Sequence, residues 1–537
     1  MRRIESRIDP RGEEFKRFRA ANLERVREFR RRQHDARFER RQRDLDRLAH
    51  HGKTFVRDRI KQLLDPGTPF LEFSSLAANT EYDGEAKSAS VVTGIGIVAG
   101  HETIIRADDP SIKGGAWYPL TVKKNVRCLD IAIENRLPVI HICDSAGGFL
   151  PLQSELFADR ISAGRIFRNQ AILSRMDIPQ LALVFGHCTA GGAYIPALSD
   201  YAVILRGNGG IFLGGPPLVK AATGEIVDAD TLGGADLHTR TSGVADYAAD
   251  SEEEAILLGR EIVSTWRQPG KPGLEEDPVA AEAPYYDPEE LYGIIPDDIK
   301  IQFDMREVIA RIVDGSRFHE YQPDYGTTLV CGYARIWGMR VGLIGNNGVL
   351  FNDSSLKGAH FIELCNQNRT PIVFLQNITG FMVGREYEAR GICKDGAKFI
   401  MAQAGSAVPK FTVMVNGSFG AGNYAMCGRA YDGRFVFSWP NHQIGIMGAD
   451  QAANTLADVK IRQRERAGET LSEDEIEAIR RPVLESFARE SSAYYATSHL
   501  WDDGIIDPVD TRNALGIALS AAANTPIEEP RYGVMRF

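Results

Sequence analysis

The chain has no apolar run near the ~20 residues that a membrane-spanning helix requires, so helical membrane spans are excluded on sequence. Its seven cysteines, Cys128, Cys143, Cys188, Cys331, Cys365, Cys393 and Cys427, are scattered, and no C-x-x-C pair occurs. An odd, dispersed set argues against a disulfide frame or a cysteine zinc site and for reduced cytosolic thiols. Positive charge is not in excess: 63 Lys and Arg stand against 72 Asp and Glu, a net charge of −9 over 537 residues. That balance argues against a general nucleic-acid binder. No H-E-x-x-H, G-x-S-x-G or P-loop pattern is present. Of the 11 histidines only His187 lies in a Gly-rich turn, where it reads as a spacer rather than a base. Chemistry in such a chain has to run on backbone electrostatics, with the proton acceptor brought by a cofactor.

What is present is a duplication. Val92-Thr93-Gly94-Ile95-Gly96 followed by Ile104–Asp109 returns as Val330-Cys331-Gly332-Tyr333-Ala334 followed by Gly342–Asn347. Pro138-Val139-Ile140-His141-Ile142 returns as Pro371-Ile372-Val373-Phe374-Leu375. Ala190-Gly191-Gly192-Ala193-Tyr194 returns as Ala421-Gly422-Asn423-Tyr424. The offset of roughly 230–240 residues is far beyond a solenoid period. Two large domains therefore fit the length. Apolar β-branched runs (Val91–Val98, Thr103–Ala107, Val139–Cys143, Leu181–Phe185) alternate with helical stretches such as Arg160–Ser174, which predicts α/β layering with much parallel pairing. The boundaries expected are 1–56 for a charged N-terminal helical arm, 57–267 for the first domain, 268–296 for a linker and 297–537 for the second domain. The linker is marked by Pro269, Gly270, Pro272, Gly273, Pro278, Pro284, Pro288 and Pro296. The arm is crowded with Arg but holds Glu24, Glu28, Asp35, Glu39, Asp44 and Asp46, unlike a transit peptide, which is poor in acids. Leu23, Val26 and Phe29 recur at helical spacing. The arm reads either as docking a partner subunit or as a solvated helix laced with ion pairs. Lys460–Arg481 reads as a charged helical surface insertion.

Three pairs of segments carry candidate chemistry. Gly186–Tyr194 and Gly417–Tyr424 each follow a strand and open a helix, where the first N–H groups have no intrahelical partner and the dipole adds positive charge. Adjacent glycines let a ligand approach the backbone. One such turn is most simply a structural feature; two at equivalent places point to paired oxyanion holes. Asp144–Pro151 and Asn377–Gly384 follow the strands where ligands of open α/β sheets bind. Phe212–Lys220 and Ile444–Gln451 each read as a strand turning into a helix.

At these residues the chain resembles the carboxyltransferase β subunits of biotin-dependent acyl-CoA carboxylases of the methylcrotonyl-CoA/geranyl-CoA type. The resemblance runs from about Arg57 to Phe537. It rests on F-L-G-G-P-P-L-V-K-A-A-T-G-E (Phe212–Glu225), F-L-Q-N-I-T-G-F-M-V-G-R-E-Y-E-A-R-G-I-C-K-D-G-A-K (Phe374–Lys398) and W-D-D-G-I-I-D-P-V-D-T-R (Trp501–Arg512). It implies two duplicated crotonase-like (ββα superhelix) domains. No Met-Lys dipeptide of the A-M-K-M carrier motif occurs, so biotin is expected on a partner, an ATP-dependent biotin carboxylase α subunit. No metal is expected in this chain. In the implied mechanism carboxybiotin releases CO2, its ureido nitrogen takes the acidic proton of the acyl-CoA, and the dienolate attacks CO2. By matching motif, Gly191 and Gly192 would hold the thioester enolate, and Ala421 and Gly422 the ureido oxygen. The acyl-CoA site would include Ala146, Gly147, Gly148, Phe149, Ala163, Tyr194 and Lys220; the biotin site, Gly380, Phe381, Asn423 and Tyr424. The two sites face each other across subunits in this family, so a homo-oligomer within a larger α/β complex is implied, in a bacterial cytoplasm, with neither nucleic acid nor membrane as partner.

One region departs from the pattern. Methylcrotonyl enzymes usually read D-S-G-G-A-Y-L-P-R-Q and then H-F-G-R. Here Leu152 replaces an Arg and Ala163 a Phe. Loss of a phenyl ring opens room for further apolar carbons, each worth about 0.8 kcal/mol when buried. This tips the expected substrate toward a longer terpenoid chain such as geranyl, unless Phe149 or Phe167 fills the space. The alternative is the 3-methylcrotonyl-CoA carboxylase of leucine degradation. A decarboxylase with a membrane partner is disfavoured by the methylcrotonyl-type stretches, and an inactive scaffold by two intact Gly-rich turns.

Overall fold

A computed structural model of the chain describes residues 1–267, 270–273, 279–468 and 471–537. Of the expected linker, Gln268, Pro269 and residues 274–278, Pro278 included, lie outside the described residues. A two-residue strand, β1 (Arg2–Arg3), and a 26-residue helix, Glu13–Phe38, come first. The first sheet then contains β2 (Leu71–Phe73), β3 (Val91–Val98), β4 (His101–Asp108), β5 (Val139–Ser145), β6 (Gln180–Thr189), β7 (Tyr201–Leu205), β8 (Gly210–Phe212) and β9 (Tyr247–Ala249). Its order is β2-β3-β4-β5-β6-β7-β9, with β8 paired to the far end of β6. The second sheet contains β10 (Arg317–Tyr321), β11 (Leu329–Ile336), β12 (Met339–Asn346), β13 (Ile372–Ile378), β14 (Lys410–Phe419), β15 (Phe435–Ser438) and β16 (Gln443–Gly445). Its order is β10-β11-β12-β13-β14-β15, with β16 on the far end of β14 and β1 added at the other edge.

The duplication holds from β2–β8 to β10–β16, while β9 and β1 are edge strands peculiar to one sheet each. Each sheet begins antiparallel and turns parallel at its β4/β5 or β12/β13 pair. Val139 pairs with Gln180 as Ile372 pairs with Lys410, and both ladders shift register one step before Ser145 and Ile378. The parallel strands are Val/Ile/Leu runs because both faces are covered. Alternation along them divides the core: Val139, Ala182 and Val184 pack with Ile166 and Leu173 on one face. Ile140, Ile142, Leu181 and Leu183 pack with Ile60, Ile256 and Val263 on the other.

The arm docks on its own chain. Phe15, Phe18, Asn22, Val26, Phe29 and Ala36 are its buried residues, while Leu23 is only half-buried. The Asn22 amide donates to the carbonyls of Tyr292 (2.9 Å) and Ile295 (2.7 Å). Phe15 lies so close to Gly293 that a β-carbon there would meet its ring at 2.3 Å. The outer face carries the expected ion pairs, such as Arg31 with Glu28 at 2.7 Å. The apolar face thus covers the end of the expected linker, which from Pro288 to Ile294 is helical, with Leu291, Tyr292 and Ile294 buried. The expected surface insertion is a helical hairpin, Ala449–Arg466 and Glu473–Glu490, whose second helix buries no residue; the matching first-half helix is only Pro216–Thr223.

The stretch after the hairpin crosses back to the first sheet. Ala78 N–H donates to Ser498 O (2.9 Å) and Ser74 N–H to Asp503 O (2.7 Å). Arg127, on the helix Pro119–Glu134, grips both carboxylate oxygens of Asp503 at 2.8 and 2.9 Å, and Arg429 adds a contact at 2.8 Å. Burial alone would raise the Asp503 pKa, but the two guanidinium groups hold it well below the usual carboxylate range. Asp502, equally buried, is pushed up to about 6 by burial, its Oδ2 accepting from Ser438 Oγ at 2.6 Å. A raised carboxyl stabilises the fold when protonated and loses that contribution as pH rises through the folded value. Asp502→Asn should therefore raise the thermal midpoint by a few degrees at pH 8 and leave it unchanged near pH 4. A midpoint scan against pH reads this; a gain equal at both pH values would refute the assignment.

Candidate active site

Both Gly-rich turns sit at the carboxyl ends of the parallel strands. They begin later than glycine content suggests. Gly186–Thr189 is still strand, because His187, Cys188 and Thr189 pair with β8; Gly417–Phe419 likewise pairs with β16. The chain reverses only at Ala190, which sits at φ 55°, and at Gly420, at φ 59°. A non-glycine residue there is uncommon and strained, so the turn is held by its surroundings. Gly191 and Gly192 open the short helical segment Ala190–Ala197, and Ala421 and Gly422 open Ala421–Ala425. Their N–H groups belong to the first turn, without intrahelical acceptors.

The four positions use their small size differently. A β-carbon at Gly192 would meet nothing within 4 Å, so the backbone is open to a ligand. At Gly191 it would touch the Phe167 ring at 3.3 Å. At Gly422 it would strike Ile378 at 2.4 Å, so glycine is needed there for packing against β13. Ala421 is exposed.

The loops after β5 and β13 adjoin these turns in the same way. Gly147, at φ 88°, lies against Thr189 O, and Gly380, at φ 129°, lies against Gly422. Trp117 N–H donates to Gly147 O and Phe149 N–H to Trp117 O; in the second half Leu350 N–H donates to Gly380 O and Met382 N–H to Leu350 O. Ser145 fixes the first loop by donating to Gly115 O (2.6 Å) and accepting from Gly147 N–H (3.1 Å). Ala146 and Gly148 are exposed beside the turn. Phe149 instead stacks on Tyr118, 4.5 Å between centroids, in a cluster that takes in Tyr82 and Leu152. The Leu152 that replaces an Arg thus caps an apolar cluster. Ala163 is the first residue of the helix Ala163–Arg175 and is half-buried; Phe167, one turn later, leans on Tyr194 (5.6 Å) and faces Gly191. Phe167 thereby joins the candidate site. Lys220 is exposed on the helix Pro216–Thr223, beyond β8. Phe381 is half-buried against the second-sheet core, and Tyr424 is 47 % exposed. Asn423 turns its amide inward, to Ser418. His187 lies away from the donors, edge-on to Phe212 at 5.1 Å.

Over residues 48–533 the sequence matches the family described as the carboxyl transferase domain. The chain belongs to the carboxyl transferase family. Within that family it is of the β-subunit type of biotin-dependent acyl-CoA carboxylases. It is 53% identical over 490 residues to the biotin-dependent 3-methylcrotonyl-coenzyme A carboxylase beta1 subunit of Mycobacterium tuberculosis, covering 91% of this chain and 92% of that one. It is 52% identical over 510 residues to a probable mitochondrial methylcrotonoyl-CoA carboxylase beta chain of Drosophila melanogaster, covering 92% and 88%. Among solved structures it is similar to the geranyl-CoA carboxylase beta subunit of P. aeruginosa, with a TM-score of 0.88 and 40% identity over 100% of both chains. The α/β architecture of two duplicated crotonase-like halves is that of this family. Family membership makes biotin the carboxyl carrier, held by a partner. Among the described residues no His, Cys, Asp and Glu group is arranged to hold a metal ion, and no helix is long and apolar enough to cross a membrane.

Proposed function

We propose that the chain transfers a carboxyl group from biotin on an ATP-dependent α subunit to the γ-carbon of a β-methyl-α,β-unsaturated acyl-CoA, with geranyl-CoA favoured. The observation that carries the acyl preference is Ala163, a methyl where a phenyl is usual, at a half-buried helix start one turn before Phe167, whose ring faces Gly191. In this reading Gly191 and Gly192 N–H groups stabilise the thioester oxygen as the enolate forms. Ala146, Gly148, Phe167 and Tyr194 line the acyl end, and Lys220 meets the CoA portion. The second turn suits a neutral, acceptor-only ureido oxygen: Ala421 is exposed, Tyr424 stands beside it, and a β-carbon at Gly380 would meet nothing within 4 Å. Biotin bound there supplies the carboxyl group and the proton acceptor that the turns do not. Developing negative charge is best stabilised by such preorganised donors.

The two turns are proposed to meet across copies of the chain. Supporting this, large apolar side chains surround both: Leu150 is 77% exposed, Phe157 81% and Ile446 80%. Patches of this kind mark interaction surfaces. The domains are proposed as 57–267 and 297–537, and the reduced thiols support a bacterial cytoplasmic setting.

A second reading, 3-methylcrotonyl-CoA as substrate, is favoured by the 53% identity to a 3-methylcrotonyl enzyme against 40% to the geranyl one. Ala163→Phe separates them. With the partner subunit present, the ratio of kcat/KM for geranyl-CoA to that for 3-methylcrotonyl-CoA should fall by roughly 10–200-fold or more. An unchanged ratio, or a wild type that rejects geranyl-CoA, returns the assignment to the five-carbon ester.

A further inference from the structure

The second donor turn is bolted down by a polar chain that runs into it from its own two central strands. Asn423 Nδ2 donates to Ser418 Oγ at 2.7 Å. Ser418 Oγ donates to Gln376 Oε1 at 2.6 Å. Gln376 Nε2 donates to Met426 O at 2.8 Å. Gln376 on β13 and Ser418 on β14 are fully buried. The chain therefore ties the short helix Ala421–Ala425 at two places, through the Asn423 side chain inside it and through the Met426 carbonyl just past its end. Each bond in a buried network of this kind is stronger than in water, and the network defines one geometry.

The first half ties its turn differently. The strand registers place Cys143 where Gln376 stands and Cys188 where Ser418 stands. Ala193, five residues after Cys188 as Asn423 is five after Ser418, has no amide to correspond to Asn423. There the turn is backed by the Phe167 ring and thiols, and its tie comes from the neighbouring helix, Gln170 Nε2 donating to Ile195 O at 3.0 Å. Buried polar side chains on a parallel sheet are costly unless satisfied, and at these two positions the first half carries thiols in place of the amide and hydroxyl. The difference lies under the turn that takes the acceptor with no acyl chain to anchor it.

We propose that Gln376, Ser418 and Asn423 are positioning residues that set the depth of the Ala421 and Gly422 donors for the biotin ureido oxygen. The inference rests on the reading of this turn as the biotin site. It assigns Asn423 a role behind the donors rather than in contact with the ligand. A reacting group displaced by roughly 1 Å can cost on the order of 10²-fold, so loosening the turn should be felt in transfer to biotin and not in acyl-CoA recognition.

The test uses the full chain and free biotin as probe, in the direction from carboxylated acyl-CoA to biotin. In that direction the C–C bond to the carboxylate breaks, an N–C bond forms on biotin, and the biotin N–H proton passes to the acyl carbon. Ser418→Ala and Gln376→Met, both close in volume to the wild-type residues, should lower kcat/KM for biotin about tenfold or more. KM for the acyl-CoA ester should stay within about twofold. Unchanged kinetics, or a parallel loss for both substrates, overturns the inference, because a merely structural role would not separate the two. Ala421→Pro is the companion variant: proline is tolerated at the first helical position and deletes the N–H. If it retains the wild-type rate, the biotin-site reading itself falls. If it is crippled while the two relay variants match wild type, only the relay falls.

Discussion

Gly191→Val is expected to lower kcat by about 10²–10³-fold, the usual consequence of losing an oxyanion-hole donor, while affinity for the CoA portion changes little. The backbone at Gly191 does not need glycine for its conformation; the left-handed residue of the turn is Ala190. The effect comes from space. A β-carbon already touches the Phe167 ring at 3.3 Å, and two further methyl groups would push that ring or the turn away from the substrate. Gly192, next to it, opens onto free volume, so the same substitution there would intrude on the space proposed for the thioester oxygen. The measurement is kcat for carboxylation by the reconstituted enzyme, beside the Kd of the acyl-CoA ester and the thermal midpoint. A Gly191→Val protein that folds as wild type and keeps kcat within a few-fold would show that these N–H groups do not stabilise the enolate.

The second large effect is on stability. Asp503→Ala removes a carboxylate that is fully buried, gripped at both oxygens by Arg127 and contacted by Arg429. It also accepts the Val436 N–H at 2.9 Å. Breaking a buried pair from one side typically costs about 3–5 kcal/mol, because the partner charge is left without compensation; here Arg429 loses its carboxylate and Arg127 keeps only one carboxylate contact, the longer one to Glu134 at 3.3 Å. Denaturant unfolding at pH 7 should show a loss of that order. A carboxyl depressed in the folded state stabilises above its unfolded pKa and loses that contribution as pH falls through the folded value. The gap between wild type and variant should therefore persist down to about pH 4, near the unfolded aspartate value, and close only in stronger acid. A difference below about 1 kcal/mol at pH 7, the range of exposed pairs, would mean that the cluster does not hold the halves together.

The strands with continuous β-branched runs were legible, since Val91–Val98 and Val139–Cys143 have no other stable use for so many apolar residues. The duplication was legible for the same reason. The turns were placed early because Gly186 and Gly417 look like chain reversals, whereas both are strand; that depends on β8 and β16, short segments with weak patterns of their own. The docking of Asn22, Val26 and Phe29 is a long-range fact, as is the pairing of Arg2 and Arg3 with Phe318 and Arg317. Charged residues at an edge strand carry no periodic signal. Gln376 and Ser418 did leave one: polar side chains inside the run Phe374–Ile378 and before Phe419, where an apolar residue would be the default. Asp502 and Asp503 stood in plain view, but which guanidinium groups meet them depends on the crossing of the halves.

That crossing has an evolutionary consequence. β1 joins the edge of the second sheet, although it precedes the whole first sheet in sequence, and Asp503 is gripped by a helix of the first half, although it follows the whole second sheet. Each half of the duplication thus lends an end to the other. The copies have ceased to be interchangeable modules: shuffling in a homologous half from a distant lineage would have to bring along a matching Arg127–Asp503 seam and a compatible first three residues.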